Sequence, residues 1–142
     1  MTRPGFQPYG GSRLRTTRYQ MVASEAKSVG DALQYVGSAS TLKLGASNTE
    51  IVAVYHDADR AASSTDTPYK TVILTLPDVL WYAPVEAGTA AATQMDDQVD
   101  LNSADGIDVG TTTNGDFHIV KFINTAEVVG FFNITPWGGE AT

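Results

Sequence analysis

IDVGTTTNGDFHIVKFI (residues 107–123) is the stretch on which the fold class turns. Asn114-Gly115 is the strongest short turn signal in the chain, because a two-residue type I′ turn needs φ > 0 at both central positions. A turn placed there sets Thr113 opposite Asp116, Thr111 opposite His118, Val109 opposite Val120 and Ile107 opposite Phe122. Those pairs make a buried face, and Asp108 then falls opposite Lys121 as a salt-bridge pair on the other face. Turn chemistry, apolar pairing and charge pairing all point to one hairpin, as in a sequence that specifies its structure.

The same texture extends outward. Segments 18–23, 28–36, 42–44, 70–76, 79–82, 99–102 and 127–134 read as short strands broken by Gly, Pro, Asn and Asp, and 85–92 contains a turn signal at Glu86-Ala87-Gly88-Thr89. EIVAVYH (50–56) is apolar at both odd and even positions, which predicts a strand buried on both faces. DADRAASSTDTP (57–68) is the longest polar stretch and predicts an exposed loop. Neither 31–35 nor 87–95 carries three turns of apolar periodicity, so no helix is expected, and no internal repeat is legible. Strands at spacings near ten residues predict an all-β domain, a single barrel or sandwich of about ten short strands.

A chain of 142 residues, 42% apolar and 18% charged, fits one domain with a real core. It has no cysteine, which excludes disulfides, Cys-ligated zinc and a thiol nucleophile. The start lacks the apolar stretch of a signal peptide, and no apolar run approaches a membrane span. The net charge of −7 is unevenly spread. Arg3, Arg13, Arg15 and Arg18 stand in the first 24 residues without an acid, while the remainder is strongly acidic. An acidic body argues against nucleic acid as a partner. Residues 1–17 read as a flexible basic arm, rich in Gly and Pro, that orders on a partner; residues 18–142 read as the β domain. Arg3, Phe6, Tyr9, Arg13, Leu14 and Arg15 are its candidate partner-binding residues.

No catalytic pattern emerges. His56 and His118 are the only histidines, too few for a zinc set without sulfur donors. His56-Asp57-x-Asp59 reads as solvated residues at a strand end, and His118 as a histidine on the inner face of the hairpin. The acidic run from Asp96 to Asp108 fails the calcium-loop pattern, since Ala104, Asp105 and Thr111 occupy positions that need oxygen ligands or glycine. A turn at Asp105-Gly106 accounts for the same letters. There is no G-x-S-x-G, P-loop or dinucleotide fingerprint. The expectation is a non-enzyme without cofactor or metal.

In order along the chain stand GDALQYVG (30–37), EIVAVYHDA (50–58), KTVILTLPDVLWYAPVEAGTAA (70–91), DDQVDLNSADGIDVGT (96–111), DFHIVKFI (116–123) and EVVGFFN (127–133). This order of turns and strands resembles the small β-barrel decoration, or cement, proteins of tailed-phage capsids, over residues 18–135. The resemblance implies a virion protein on the outer capsid surface, made in the host cytoplasm. Its partner would be the major capsid protein, its state commonly a homotrimer, and its role to stabilise the expanded shell. It carries no catalytic residues over. Two other classes remain open: another virion component such as a tail-tube, head–tail joining or fibre-base subunit, and a carbohydrate-binding module using Trp81 and Trp137.

Overall fold

The computed structural model describes residues 5–10, 13–36, 41–62 and 65–133. It is all-β. The strands are β1 (Gln7–Pro8), β2 (Thr16–Met21), β3 (Ala32–Tyr35), β4 (Thr41–Leu44), β5 (Ala53–Tyr55), β6 (Tyr69–Leu74), β7 (Trp81–Ala87), β8 (Gln98–Ser103), β9 (Gly106–Asp108), β10 (Phe117–Asn124) and β11 (Glu127–Phe132). The described helix is a single 3-10 turn, Ala92–Gln94.

The strands close two rings rather than one. The first is the barrel β2-β4-β3-β5-β6. Its interior takes residues from every strand: Met21, Leu33, Leu42, Ala53, Tyr55 and Val72. The second runs β7-β11-β10-β8-β9 and closes through a parallel β7–β9 pairing. Trp81, Ala83, Val99, Leu101, Ile107, Phe117, Ile119, Val128 and Phe132 make its core. β5 is buried on both faces, as its sequence predicts. Ala53 and Tyr55 point into the first barrel, while Val54 lies between Ala32 and Ile73 on the outer face and joins the second core.

The two rings repeat one design, which the sequence reading missed. In each, the first and third strands pair in parallel and every other neighbour is antiparallel. The registers coincide. Met21–Leu42, Tyr35–Leu42, Leu33–Ala53, Ala53–Leu74, Tyr55–Val72 and Thr17–Val72 recur as Val85–Ile107, Leu101–Ile107, Val99–Phe117, Phe117–Phe132, Ile119–Gly130 and Trp81–Gly130. Loop hydrogen bonds recur as well. Gly30 N–H donates to Tyr55 O at 2.9 Å and Tyr55 N–H to Asp31 O at 2.8 Å. Asp96 N–H donates to Ile119 O at 2.7 Å and Ile119 N–H to Asp97 O at 2.9 Å. Gly30 and Asp96 both take positive φ, 98° and 72°.

The hairpin expected across Asn114-Gly115 does not form. After a tight turn at Ala104-Asp105, β9 pairs back on β8 and beside β7, and β10 pairs with β11 and β8. The cause is the buried Asp100. Its carboxylate accepts the N–H groups of Asn114 at 2.7 Å and Gly115 at 2.9 Å, tying that loop to β8. Only Gly115 of the two has positive φ, 61°. Asp108 does not meet Lys121; it accepts from Gly110 N–H and the Thr111 hydroxyl. His118 lies on the outer face, stacked on Phe131 at 4.8 Å.

Within the expected arm, residues 5–10 pack against the body. Phe6 is 1% exposed, between Phe117 and Phe132 with ring centroids 5.8 and 4.8 Å away. β1 pairs antiparallel with β7 at Tyr82 and Trp81. Residues 5–10 therefore belong to the second barrel, held by the Phe6 ring together with the β1–β7 pairing and the bonds of Phe6 N–H to Gly30 O and Tyr9 N–H to Leu80 O. The polar loop 57–68 is also partly packed: Arg60 is buried, its guanidinium donating to the carbonyls of Val22, Glu25 and Asp66.

Phe6→Ala should cost about 3–5 kcal/mol by denaturant unfolding, as for a buried aromatic, and Leu14→Ala less than about 0.5 kcal/mol. Equal small effects from both would restore the flexible-arm reading.

Candidate partner-binding surface

The expected partner-binding residues separate into three groups. Phe6 is core. Tyr9 lies on the outside of the second barrel, edge-on to Tyr82 at 5.1 Å, with its hydroxyl 3.0 Å from Lys121 Nζ. Arg13, Leu14 and Arg15 are exposed where the chain enters β2. Arg3 and Trp137 lie outside the described residues.

β2 continues that strip. Thr16, Thr17 and Arg18 are exposed. The Arg18 guanidinium donates to the Tyr69 carbonyl at 2.7 Å, and the Tyr69 ring stands 59% exposed beside it. Leu14 is 42% exposed. Nearby, Tyr19 and Tyr35 meet edge-on with hydroxyls 3.2 Å apart. That hydrogen bond, with burial, pushes the Tyr35 hydroxyl up to about 12. Arginines interleaved with exposed aliphatic and aromatic groups are the composition of interface hot spots. Tyr69 and Tyr35 were missed in the sequence because strand patterning says that they alternate, not which face meets solvent.

The other candidates are occupied locally. Trp81 is fully buried, which removes it from any sugar-stacking platform. Asp57 accepts from Thr71 and Ala58 N–H groups, and these bonds pull its carboxyl below the usual range. Asp59 accepts from Val29 N–H at 3.1 Å. The His118 Nε2 sits 2.7 Å from Asp96 at the rim of an open polar groove of about 490 Å³, lined by Asp96, Asp97, Gln98, Thr112, Thr113, Asn114 and Gly115. Among the described residues the His118 ring is bonded to Asp96 and to no hydroxyl.

Buried acids hold the two barrels in register. Asp116 of the second barrel accepts the Ser47 hydroxyl at 3.0 Å and Asn48 N–H at 3.1 Å from the first, and Leu101 N–H at 2.9 Å from its own. Burial raises its carboxyl above the usual range. Ala32 N–H donates across the junction to Ala104 O at 2.8 Å. Burial, and then the neighbouring Asp105 carboxyl, raise Asp31 to about 8, against the lowering pull of Ser28 N–H and Lys27.

Between the ordinary 3.8 and about 8, folded Asp31 keeps a proton that the unfolded chain releases. Its contribution to stability is complete below that window and is lost as pH rises through it. The melting temperature of Asp31→Asn should therefore fall less than that of the parent between pH 5 and pH 8.5. Parallel curves would show that Asp31 does not hold the proton.

No family model matches this chain, and no curated protein matches it, so what the surface binds must be argued from its own chemistry.

Proposed function

We propose that this protein is a virion structural protein that binds the outer surface of a tailed-phage capsid, contacting the major capsid protein and stabilising the expanded shell. The observation that carries this reading is the strip at Arg13, Leu14, Arg15 and Arg18, basic and partly apolar on an otherwise acidic body. The order of turns and strands, with its resemblance to capsid decoration proteins, supplies the identity of the partner. Two closed barrels locked by a shared core suit the task, because a cement must carry load between shell subunits without unfolding. Arginine forks bind carboxylates bidentately, and Leu14 and Tyr69 can fill pockets on a neighbour. Repeated attachment over a shell, as a homotrimer or otherwise, adds avidity without new contacts. The exposed acids elsewhere, among them Asp59, Asp78 and Asp97, keep decorated particles apart by repulsion.

The test is co-sedimentation with expanded, undecorated capsids. Replacing Arg13 and Arg15 by Glu and Leu14 by Ser should leave the melting temperature within a few degrees. It should weaken attachment at least about tenfold, or about 1.4 kcal/mol. Raising the salt should reproduce part of that loss, since exposed charge contacts are screened. Unaltered binding by the triple variant would move the contact elsewhere. A parent protein that never binds capsids would end the decoration reading, and the tail-tube, head–tail joining and fibre-base roles would come next.

A further inference from the structure

The repeat makes one difference between the barrels informative. In β7, Val85 N–H donates to Ala126 O at 2.9 Å, so Trp81, Ala83 and Val85 bond towards β11, and Leu80 and Tyr82 present their backbone groups to the other side. There β1 adds a strand: Gln7 stands opposite Tyr82, and Tyr9 N–H donates to Leu80 O at 2.8 Å. In β2 the phase is the same. Met21 N–H donates to Pro68 O and Leu74 N–H to Arg15 O, so Thr16 and Arg18 are the counterparts of Leu80 and Tyr82. β4 joins that side only from Gln20 onward, and among the described residues nothing pairs with Thr16 or Arg18 there.

The interior differs in the same way. Phe6, carried in by β1, packs on Phe117 and Phe132. Their counterparts in the first barrel are Ala53, a small residue, and Leu74, which is only half-buried.

The sequence holds a second segment of the kind that β1 supplies. FQPYGG (6–11) and ITPWGG (134–139) share an apolar residue, a polar residue, proline, an aromatic and two glycines. Proline suits the middle of such an edge strand, since Pro8 sits opposite Trp81 between Gln7 and Tyr9, where no N–H towards β7 is required.

We propose that the β2 edge at Thr16 and Arg18 is the docking site for residues 134–139 of a second copy of this chain, added as an antiparallel strand. In the register of β1, Thr135 stands opposite Arg18 and Trp137 opposite Thr16. Ile134 takes the part of Phe6, and Glu140 falls level with Arg13. This is strand addition to an open sheet edge, with backbone bonds supplying affinity and the flanking side chains specificity.

Reach selects a second copy over the same chain. Asn133 N–H donates to Asp116 O, and the Asp116 carboxylate binds Ser47, which follows the far end of β4. Because β4 runs parallel to β2 from Gln20, Gly45 is already about 20 Å along the strand from Arg18 at ~3.3 Å per residue. The two residues from Asn133 to Thr135 span at most about 7 Å. A tail of one copy on the edge of the next is a heterologous contact, which closes into a ring or propagates as a chain of copies. The proposal concerns self-association and does not rest on capsid binding; either can fail without the other.

The test uses the absence of cysteine from the chain. Arg18→Cys with Thr135→Cys should, on mild oxidation of the full-length protein, give disulfide-linked dimers and larger species. Their yield should be at least tenfold above that of Ala62→Cys with Thr135→Cys, where Ala62 is exposed elsewhere on the first barrel. In the unmodified protein, hydrogen exchange at the Thr16 and Arg18 amides should slow at least tenfold as protein concentration is raised through the association range. A disulfide closed within one chain, a dimer yield equal to the control, or exchange at these amides independent of concentration would each overturn the proposal.

Discussion

Everything else in this molecule hangs on a strand of three residues buried from both sides. In β5, Ala53 and Tyr55 complete the interior of one barrel while Val54, with Ala32 and Ile73 beside it, completes the core of the other. A barrel of five short strands has little interior of its own, and surface-to-volume scaling makes so small a body marginal. Sharing a wall removes the outer face of β3, β5 and β6 from water and makes two small cores into one cooperative structure. The buried polar bonds at the junction, from Asp116 to Ser47 and Asn48 and from Ala32 to Ala104, then fix the orientation that apolar contact leaves loose.

The repeat explains how two rings with no visible sequence similarity share one register. What recurs is apolar character at fixed steps, not identity. Ala53 and Tyr55 in one barrel correspond to Phe117 and Ile119 in the other, so the large and small side chains exchange places. Thr17 opposite Val72 corresponds to Trp81 opposite Gly130, where a Cβ would strike the His118 carbonyl and the Phe117 ring. Apolar character is kept at these steps while the letters change, which packed cores tolerate. The loops diverge freely. The long polar connection between β5 and β6 stands where β10 and β11 are joined by the short turn at Thr125-Ala126.

Charge is partitioned by the same architecture. Many acids that a sequence reader would test for metal or catalysis serve as acceptors for N–H groups in irregular segments, as Asp57, Asp100, Asp108 and Asp116 do. Loops between short strands leave backbone donors without ladder partners, and a carboxylate accepts several at once. Arg13, Arg15 and Arg18, by contrast, are left outward at the entry to β2, while Arg60 is drawn in to serve backbone carbonyls.

The sequence alone determined the all-β class, the turn punctuation, the double burial of Ala53–Tyr55 within the expected strand and the exposure of Arg13, Leu14 and Arg15, because alternation, β-branched content and local charge are properties of neighbouring residues. It did not determine strand partners. Asn114-Gly115 carries the letters of a tight hairpin, yet the Asp100 carboxylate, from another strand, captures both N–H groups and sends Gly106–Asp108 to β8 and β7. Phe6 reads as an arm residue until Phe117 and Phe132, from the far end of the chain, close around it. Pairing, ring closure and the choice between arm and core depend on contacts between residues far apart in the chain, and only the tertiary structure holds those.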